Sequence, residues 1–359
     1  MRPILYSTCV QVKDMEEGVR FFTDVLDYET VGPCSDQMDK KTLSEVGKNV
    51  MPKLFGFDVA ECKFRSQLVA PKGNHATFYN IFEWVNPKWV EADRYDPPNH
   101  CGIARSQMLI EGYDDIVKKV KEYDGAEFIC PEIRWANAAF SDQEIVFSRA
   151  GSIRHNSGAI FQIKQDENDQ LSVLPGRGVK INHRAIHCKN IEETLNFYGD
   201  TLGLERDTKW NPKVHTHILA STHKYNFSQT YVHYLTEYQL QKFFGYSYKD
   251  TPVCDLDAGM MLADSVDRKS AQNLDCFQWI EPKVYGEPYT IANHIGLQRV
   301  TFIVDNFGEV KEKMKSRAKK IICDEIKLPE VVMPELEKPC NRAMSVLDPD
   351  GVFVLVLGN

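Results

Sequence analysis

A chain of 359 residues with 43% apolar and 26% charged residues is long and apolar enough for two compact domains or one large one. Its net charge of −8 excludes nucleic acid as a main partner, because phosphate contacts call for a basic surface. No run approaches the about eighteen apolar residues of a membrane span, and the ten cysteines form no C-x-x-C pair, which predicts reduced thiols and a cytosolic protein.

The N-terminal residues Met1–Asp14 lack the charged, apolar and small-residue zones of a signal peptide. The first predicted element is a strand from Tyr6. A helix follows, announced by Asp14 with Glu17 three residues on, the capping-box spacing. Phe21, Phe22, Val25 and Leu26 give that helix its apolar face. After an insertion near 35–60, the segment from Phe82 ends a strand in F-E-W. A Pro-bearing linker, the pair Asn99-His100 and Gly102 then lead into a new strand and helix. Lys118–Lys121 reads as the solvated face of that helix.

The first pattern returns at Asn182. The segment NHRAIHCKNIEETLNFYGDTLGLER, 182–206, matches YSTCVQVKDMEEGVRFFTDVLDYET, 6–30, with Asn190 and Glu193 in the capping places and Gly203 closing the helix. Following a second insertion, 207–250, the Phe82 pattern returns at Phe277 as F-Q-W, a Pro-bearing linker, Asn293-His294 and Gly296. The chain closes with D-P-D-G-V-F at 348–353, a strong turn ahead of a last strand. Internal repetition of this order fixes the architecture: two halves, each of two strand–helix–strands units. The Pro/Gly-rich stretch Leu174–Lys180 is the boundary, giving domains 1–173 and 174–359. Trp84, Trp89 and Trp279, at strand ends, are expected to pack between units. No phosphate-cradling glycine loop or G-x-S-x-G elbow is present.

The stretch H-R-A-I-H-C-K-N-I-E-E-T-L-N-F-Y at 183–198, the D-x-L-G-L that follows it, and the D-P-D-G-V-F turn resemble the vicinal-oxygen-chelate superfamily. Glyoxalase I, bleomycin-resistance proteins, extradiol dioxygenases and hydroxyphenylpyruvate dioxygenase belong to it. The resemblance covers nearly all of the chain apart from the two insertions. It implies an α+β fold of four βαβββ modules paired into two tandem half-barrel domains. With four modules in one chain, each half-barrel is complete without a second copy, and the protein is expected as a monomer or homodimer.

The resemblance also implies metal ligands on the first and last strands of each module. In the first half those places carry Ser7, Asn80, Arg105 and Gln162, with no acidic or imidazole ligand, so a structural role is expected there. In the second half they carry His183, Asp275, Arg299 and Leu355. Arg299 stands in place of a second histidine and Leu355 in place of a glutamate, so the two-histidine, one-carboxylate iron triad is incomplete. Six histidines, His183, His187, His215, His217, His223 and His233, cluster in this half. An arginine on a strand facing a half-buried cavity is costly without an anion or an ion pair.

The expected function is an enzyme with its active site in the second domain, acting on a small oxygen-rich, carboxylate- or enolate-forming substrate. Oxyanion stabilisation and proton transfer make this a lyase- or isomerase-type reaction. His183 is the metal ligand or general base, Asp275 a ligand or acid/base partner, and Arg299 the anion clamp. His187 and His233 are further substrate contacts. One divalent ion (Fe, Mn, Zn or Ni) on His183 and Asp275 is the expected cofactor, with a metal-free site as the alternative. Two other readings stay open: a non-haem iron dioxygenase with an atypical ligand set, and a non-catalytic small-molecule binder like the bleomycin-resistance proteins.

Overall fold

In a computed structural model, residues 1–91, 99–137, 146–166, 180–207, 255–281, 283–329 and 339–359 are described. They form four modules of one plan. Module one comprises β1 (Ile4–Gln11), α1 (Met15–Arg20), β2 (Tyr28–Val31), β3 (Lys63–Pro71) and β4 (Phe78–Asn86), and its insertion holds α2 (Lys40–Asn49) and α3 (Met51–Phe55). Module two comprises β5 (Gly102–Leu109), α4 (Tyr113–Glu122), β6 (Ala126–Asn137), β7 (Val146–His155) and β8 (Ile160–Asp166). Module three comprises β9 (Lys180–His187), α5 (Ile191–Asn196), β10 (Glu205–Arg206), β11 (Asp255–Asp264) and β12 (Ala271–Glu281). Module four comprises β13 (Gly296–Val304), α6 (Phe307–Arg317), β14 (Lys320–Lys327), β15 (Arg342–Leu347) and β16 (Phe353–Gly358). No helix among the described residues is long and apolar enough to cross a membrane.

The local signals act as read. Asp14 caps α1 by accepting from the Glu16 and Glu17 amides, and Asn190 caps α5 by accepting from the Glu193 amide. In the second copy the two side chains also meet, Asn190 Nδ2 donating to Glu193 Oε1 at 2.9 Å. In the first, the Glu17 carboxylate turns instead to the Tyr123 hydroxyl at 2.6 Å and the His155 ring at 3.3 Å, tying α1 to module two. Both helices run on as π-helical segments, Phe21–Val25 and Phe197–Leu202, a detail the apolar pattern does not carry. At the last turn, Asp348 Oδ1 accepts from the amides of Asp350, Gly351 and Val352, and Gly351 takes φ +112°, a conformation only glycine adopts freely.

Within each module the first strand lies parallel to the last: Cys9 opposite Asn80, Gln107 opposite Gln162, Ala185 opposite Asp275, Thr301 opposite Leu355. The fold class is the expected one. The pairing of modules is not. First strands meet antiparallel as β1 with β13, Ser7 opposite Thr301, and as β5 with β9, Gln107 opposite His183. One half-barrel therefore joins modules one and four, and the other joins modules two and three. Consecutive modules share a core on the helix side instead. Phe21, Phe22, Tyr113, Ile116 and Phe161 form one such core, and Leu195, Tyr198, Phe302, Phe307 and Met314 the other. The physical reason is that strand pairing is non-local, and four first strands of similar pattern are interchangeable partners until the linkers fix which edges meet. Two linkers run side by side here. The Val90 amide donates to Asn293 O, the Cys101 amide to Tyr285 O, and the Tyr285 amide to Asn99 O. The predicted boundary, residues 174–179, lies outside the described residues.

Trp84 is fully buried as expected of a packing residue, its indole donating to Ala292 O at 2.8 Å. Between the half-barrels Arg184 is completely buried and donates to the Thr8 and Thr77 hydroxyls at 2.9 and 2.7 Å. The eight cysteines whose side chains are described, Cys9, Cys34, Cys62, Cys101, Cys188, Cys276, Cys323 and Cys340, are free thiols.

Candidate functional site

Alternation along a strand sends every second side chain to the same face. On β8, Phe161 and Ile163 go to the helix-side core, which leaves Gln162 and Lys164 for the concave side. On β9, Ile186 goes to the core, as does Cys188 just past the strand, leaving His183 and His187. Leu274 and Cys276 on β12 likewise leave Asp275 and Phe277. With Arg105 and Gln107 from β5, the concave face of the two/three half-barrel is polar and almost wholly buried.

His183 Nε2 lies 3.2 Å from Asp275 Oδ2, with side-chain exposures of 12% and 4%. The other carboxylate oxygen, Oδ1, is buried without a hydrogen-bond partner. Burial pushes the Asp275 carboxyl up to about 7, against the opposite pull of Arg105 and Lys164, while Asp207 adds to the rise. Burial outweighs the two cations because the charged carboxylate loses more hydration in an enclosed site than their attraction returns. Arg105 Nε donates to Gln162 Oε1 at 3.1 Å and its Nη1 to His187 Nε2 at 2.9 Å. The guanidinium also sits over the Phe277 ring, 5.1 Å from its centroid. The Trp279 indole nitrogen is 3.3 Å from both nitrogens of His187, so Trp279 holds a site histidine as well as packing.

The expected residues are thus only partly brought together. His183 and Asp275 meet, and His187 joins them through Arg105. Arg299 does not: it lies in the one/four half-barrel with Ser7, Asn80 and Leu355 around a separate cavity of about 380 Å³. His215, His217, His223 and His233 lie outside the described residues. The place expected for Arg299 beside His183 is taken by Arg105, assigned from sequence to a structural first half. The signal available for it was the polar alternation Arg105–Gln107 and Gln162–Lys164 in otherwise apolar strands.

The donor chemistry bears on the expected divalent ion. Its two named ligands, His183 and Asp275, are in contact. The other first- and last-strand places of this half-barrel carry Arg105, a fixed cation, and Gln162, whose amide oxygen is already held by Arg105. Among the described residues no three His, Cys, Asp or Glu side chains converge. His183 and Asp275 are the two ligands in contact, His187 is engaged by Arg105 and Trp279, and a fixed guanidinium beside them disfavours a divalent cation and suits an oxyanion.

No family model and no curated protein matches the chain. Solved structures do. Glyoxalase I from Zea mays is similar over 99% of this chain and 92% of that one, with TM-score 0.52 and 10% identity. A point mutant of the same maize protein gives 0.54 and 10%, covering 99% and 92%. A candidate dioxygenase from Bacillus subtilis subsp. subtilis str. 168 gives 0.50 and 9%, covering 99% and 85%. Likeness at such identities is likeness of fold, and it runs the length of all four modules: the chain has the vicinal-oxygen-chelate fold in its four-module form.

Proposed function

We propose that the half-barrel of modules two and three is the active site of an enzyme that moves a proton on a small oxygen-rich acid, a reaction of lyase or isomerase type. The observation that supports this reading is the buried His183–Asp275 pair, whose carboxyl is pushed up to about 7 beside the guanidinium of Arg105. A hydrogen-bonded pair that includes a group able to hold or release a proton near the working pH meets the condition for effective general acid–base transfer. The substrate carboxylate or carbonyl oxygen takes the positive face made by Arg105, with Lys164 near. His183, held by Asp275, removes a proton from the carbon next to the carbonyl. The negative charge that develops on oxygen is met by Arg105, a fixed donor in a water-poor site. Return of the proton to the neighbouring carbon completes an isomerisation; loss of a leaving group from that carbon completes an elimination.

An iron dioxygenase would need a third ionisable ligand, which the described residues do not bring. Both half-barrels close within one chain, which supports a monomer as the working unit.

The test is exchange of α-protons for deuterium in a panel of small 2-oxo and 2-hydroxy acids, followed by NMR. The native protein is expected to catalyse exchange on at least one of them. His183→Ala and Asp275→Asn should each lower the rate by about two to four orders of magnitude with the fold retained. Exchange unaffected by either change, or absent across the panel, overturns the reading.

A further inference from the structure

The one/four half-barrel joins module one, expected to be structural, to module four, which carries Arg299. Its cavity of about 380 Å³ is of the size that takes a small molecule. The walls are mainly apolar: Val46, Met51, Leu54 and Phe55 from the helices of the insertion, Phe64 from β3, and Leu328. The carboxylate on the lining, Asp39, is exposed and accepts from the Thr42 amide at the start of α2. At the floor lies Arg299, 2% exposed. Its guanidinium sits 4.8 Å from the ring centroids of both Phe55 and Phe82, and Nη1 reaches Gln11 Oε1 only at 3.5 Å. No described carboxylate forms an ion pair with it. The nearby Cys9 thiol is pushed up to about 11 by burial and so is neutral at physiological pH. A second polar atom faces the same space unsatisfied: Asn80 Oδ1 is buried with no hydrogen-bond partner. The Ser7 and Thr301 hydroxyls line the cavity beside it.

A guanidinium is always charged, and burying it without an anion is unfavourable even after the aromatic faces offset part of the lost hydration. An apolar cavity with a lone cation at its floor has one complementary occupant, an anion with a hydrophobic body. We propose that this half-barrel is a second ligand site, which binds a monocarboxylate with an aliphatic or aromatic body. The carboxylate takes the planar fork of Arg299 and the body fills the space between α2, α3 and Phe64. A hydroxyl next to the carboxylate would satisfy Asn80 Oδ1, so 2-hydroxy acids are the preferred members of the class. The site is separate from the proton-transfer site: no described residue of the His183–Asp275 cluster lines the cavity.

Isothermal titration of the full-length protein with 2-hydroxyoctanoate, octanoate and 1-octanol tests this. Both acids are expected to bind, 2-hydroxyoctanoate more tightly, with 1-octanol weaker than octanoate by at least about tenfold. Arg299→Met should remove the preference for the acids over the alcohol. Leu54→Trp, which fills the cavity and leaves Arg299 in place, should abolish binding of all three, and it keeps the proposal open to test should Arg299→Met fail to fold. His183→Ala should leave every affinity unchanged, so the outcome does not depend on the activity proposed for the other half-barrel. Equal affinity for octanoate and 1-octanol, or acid binding that survives both Arg299→Met and Leu54→Trp, overturns the proposal.

Discussion

Asp275 illustrates how one buried group couples function to stability. Its folded carboxyl titrates near 7, whereas in an unfolded chain it titrates near the ordinary value of about 4. Between these values the folded state holds a proton that the unfolded state has released. Stability therefore falls as pH rises through that window, and the full contribution is present only below it. Asp348, also pushed up to about 7 by burial and by Asp350, has the same sign, so the native protein carries both slopes. Asp275→Asn removes one of them. Melting temperatures of the variant and native proteins are expected to diverge in the variant's favour by a few degrees on going from pH 5 to pH 8. A constant difference across that range would show that Asp275 is not proton-linked in the folded state. The same substitution should lower turnover by about two to four orders of magnitude. A gain in stability with loss of activity is the signature of a group held in a strained protonation equilibrium for function rather than for folding.

At the scale of the elements, caps and turns are the points where single residues decide geometry. Asp14 supplies side-chain acceptors to two otherwise unpaired amides at the start of α1, and a lost N-cap costs about 1 kcal/mol. Gly351 stands at φ +112°. A Cβ there would find its nearest neighbours at 3.4 Å or more, so the penalty of Gly351→Ala is one of backbone conformation rather than of collision, about 1–3 kcal/mol. Urea unfolding should show Asp14→Ala and Gly351→Ala as destabilising by those amounts without change of slope. Neither effect should alter ligand preference in the one/four cavity. If Gly351→Ala were neutral, the turn would have to adopt another backbone conformation. The two π-helical segments, by contrast, repeat in modules one and three without a residue pattern that announces them.

The whole molecule is held by pairings that cross the middle of the chain. Residues 1–173 contain β1 and β5, whose first-strand partners β13 and β9 lie in residues 174–359. Each half alone would leave two first strands with unpaired edges, and exposed strand edges seek partners. Produced separately, the halves are expected to aggregate or self-associate; produced together, they should form a one-to-one complex that light scattering reports at the native mass. Two halves that each behave as soluble, cooperatively folding monomers would contradict the cross-paired arrangement. Because both half-barrels close inside one chain, activity per mole should also be independent of dilution.

Features that depend on local pattern were legible in the residues. The capping residues, the alternating strands, the D-P-D-G turn and the fourfold repetition are all written within windows of about thirty residues, and each folds as read. The joining of His183 to Asp275 was legible on another ground: the resemblance places them on the first and last strands of one module, and those strands pair in parallel. Which modules meet was decided only by tertiary structure. Ser7, Arg105, His183 and Arg299 hold equivalent places on first strands of similar pattern, so their residues cannot say which strand pairs with which. That choice placed Arg105, not Arg299, beside His183, and left Arg299 to face an apolar cavity of its own. Strand pairing is set by edges brought together over hundreds of residues and by the linkers that guide them, and no local periodicity records it.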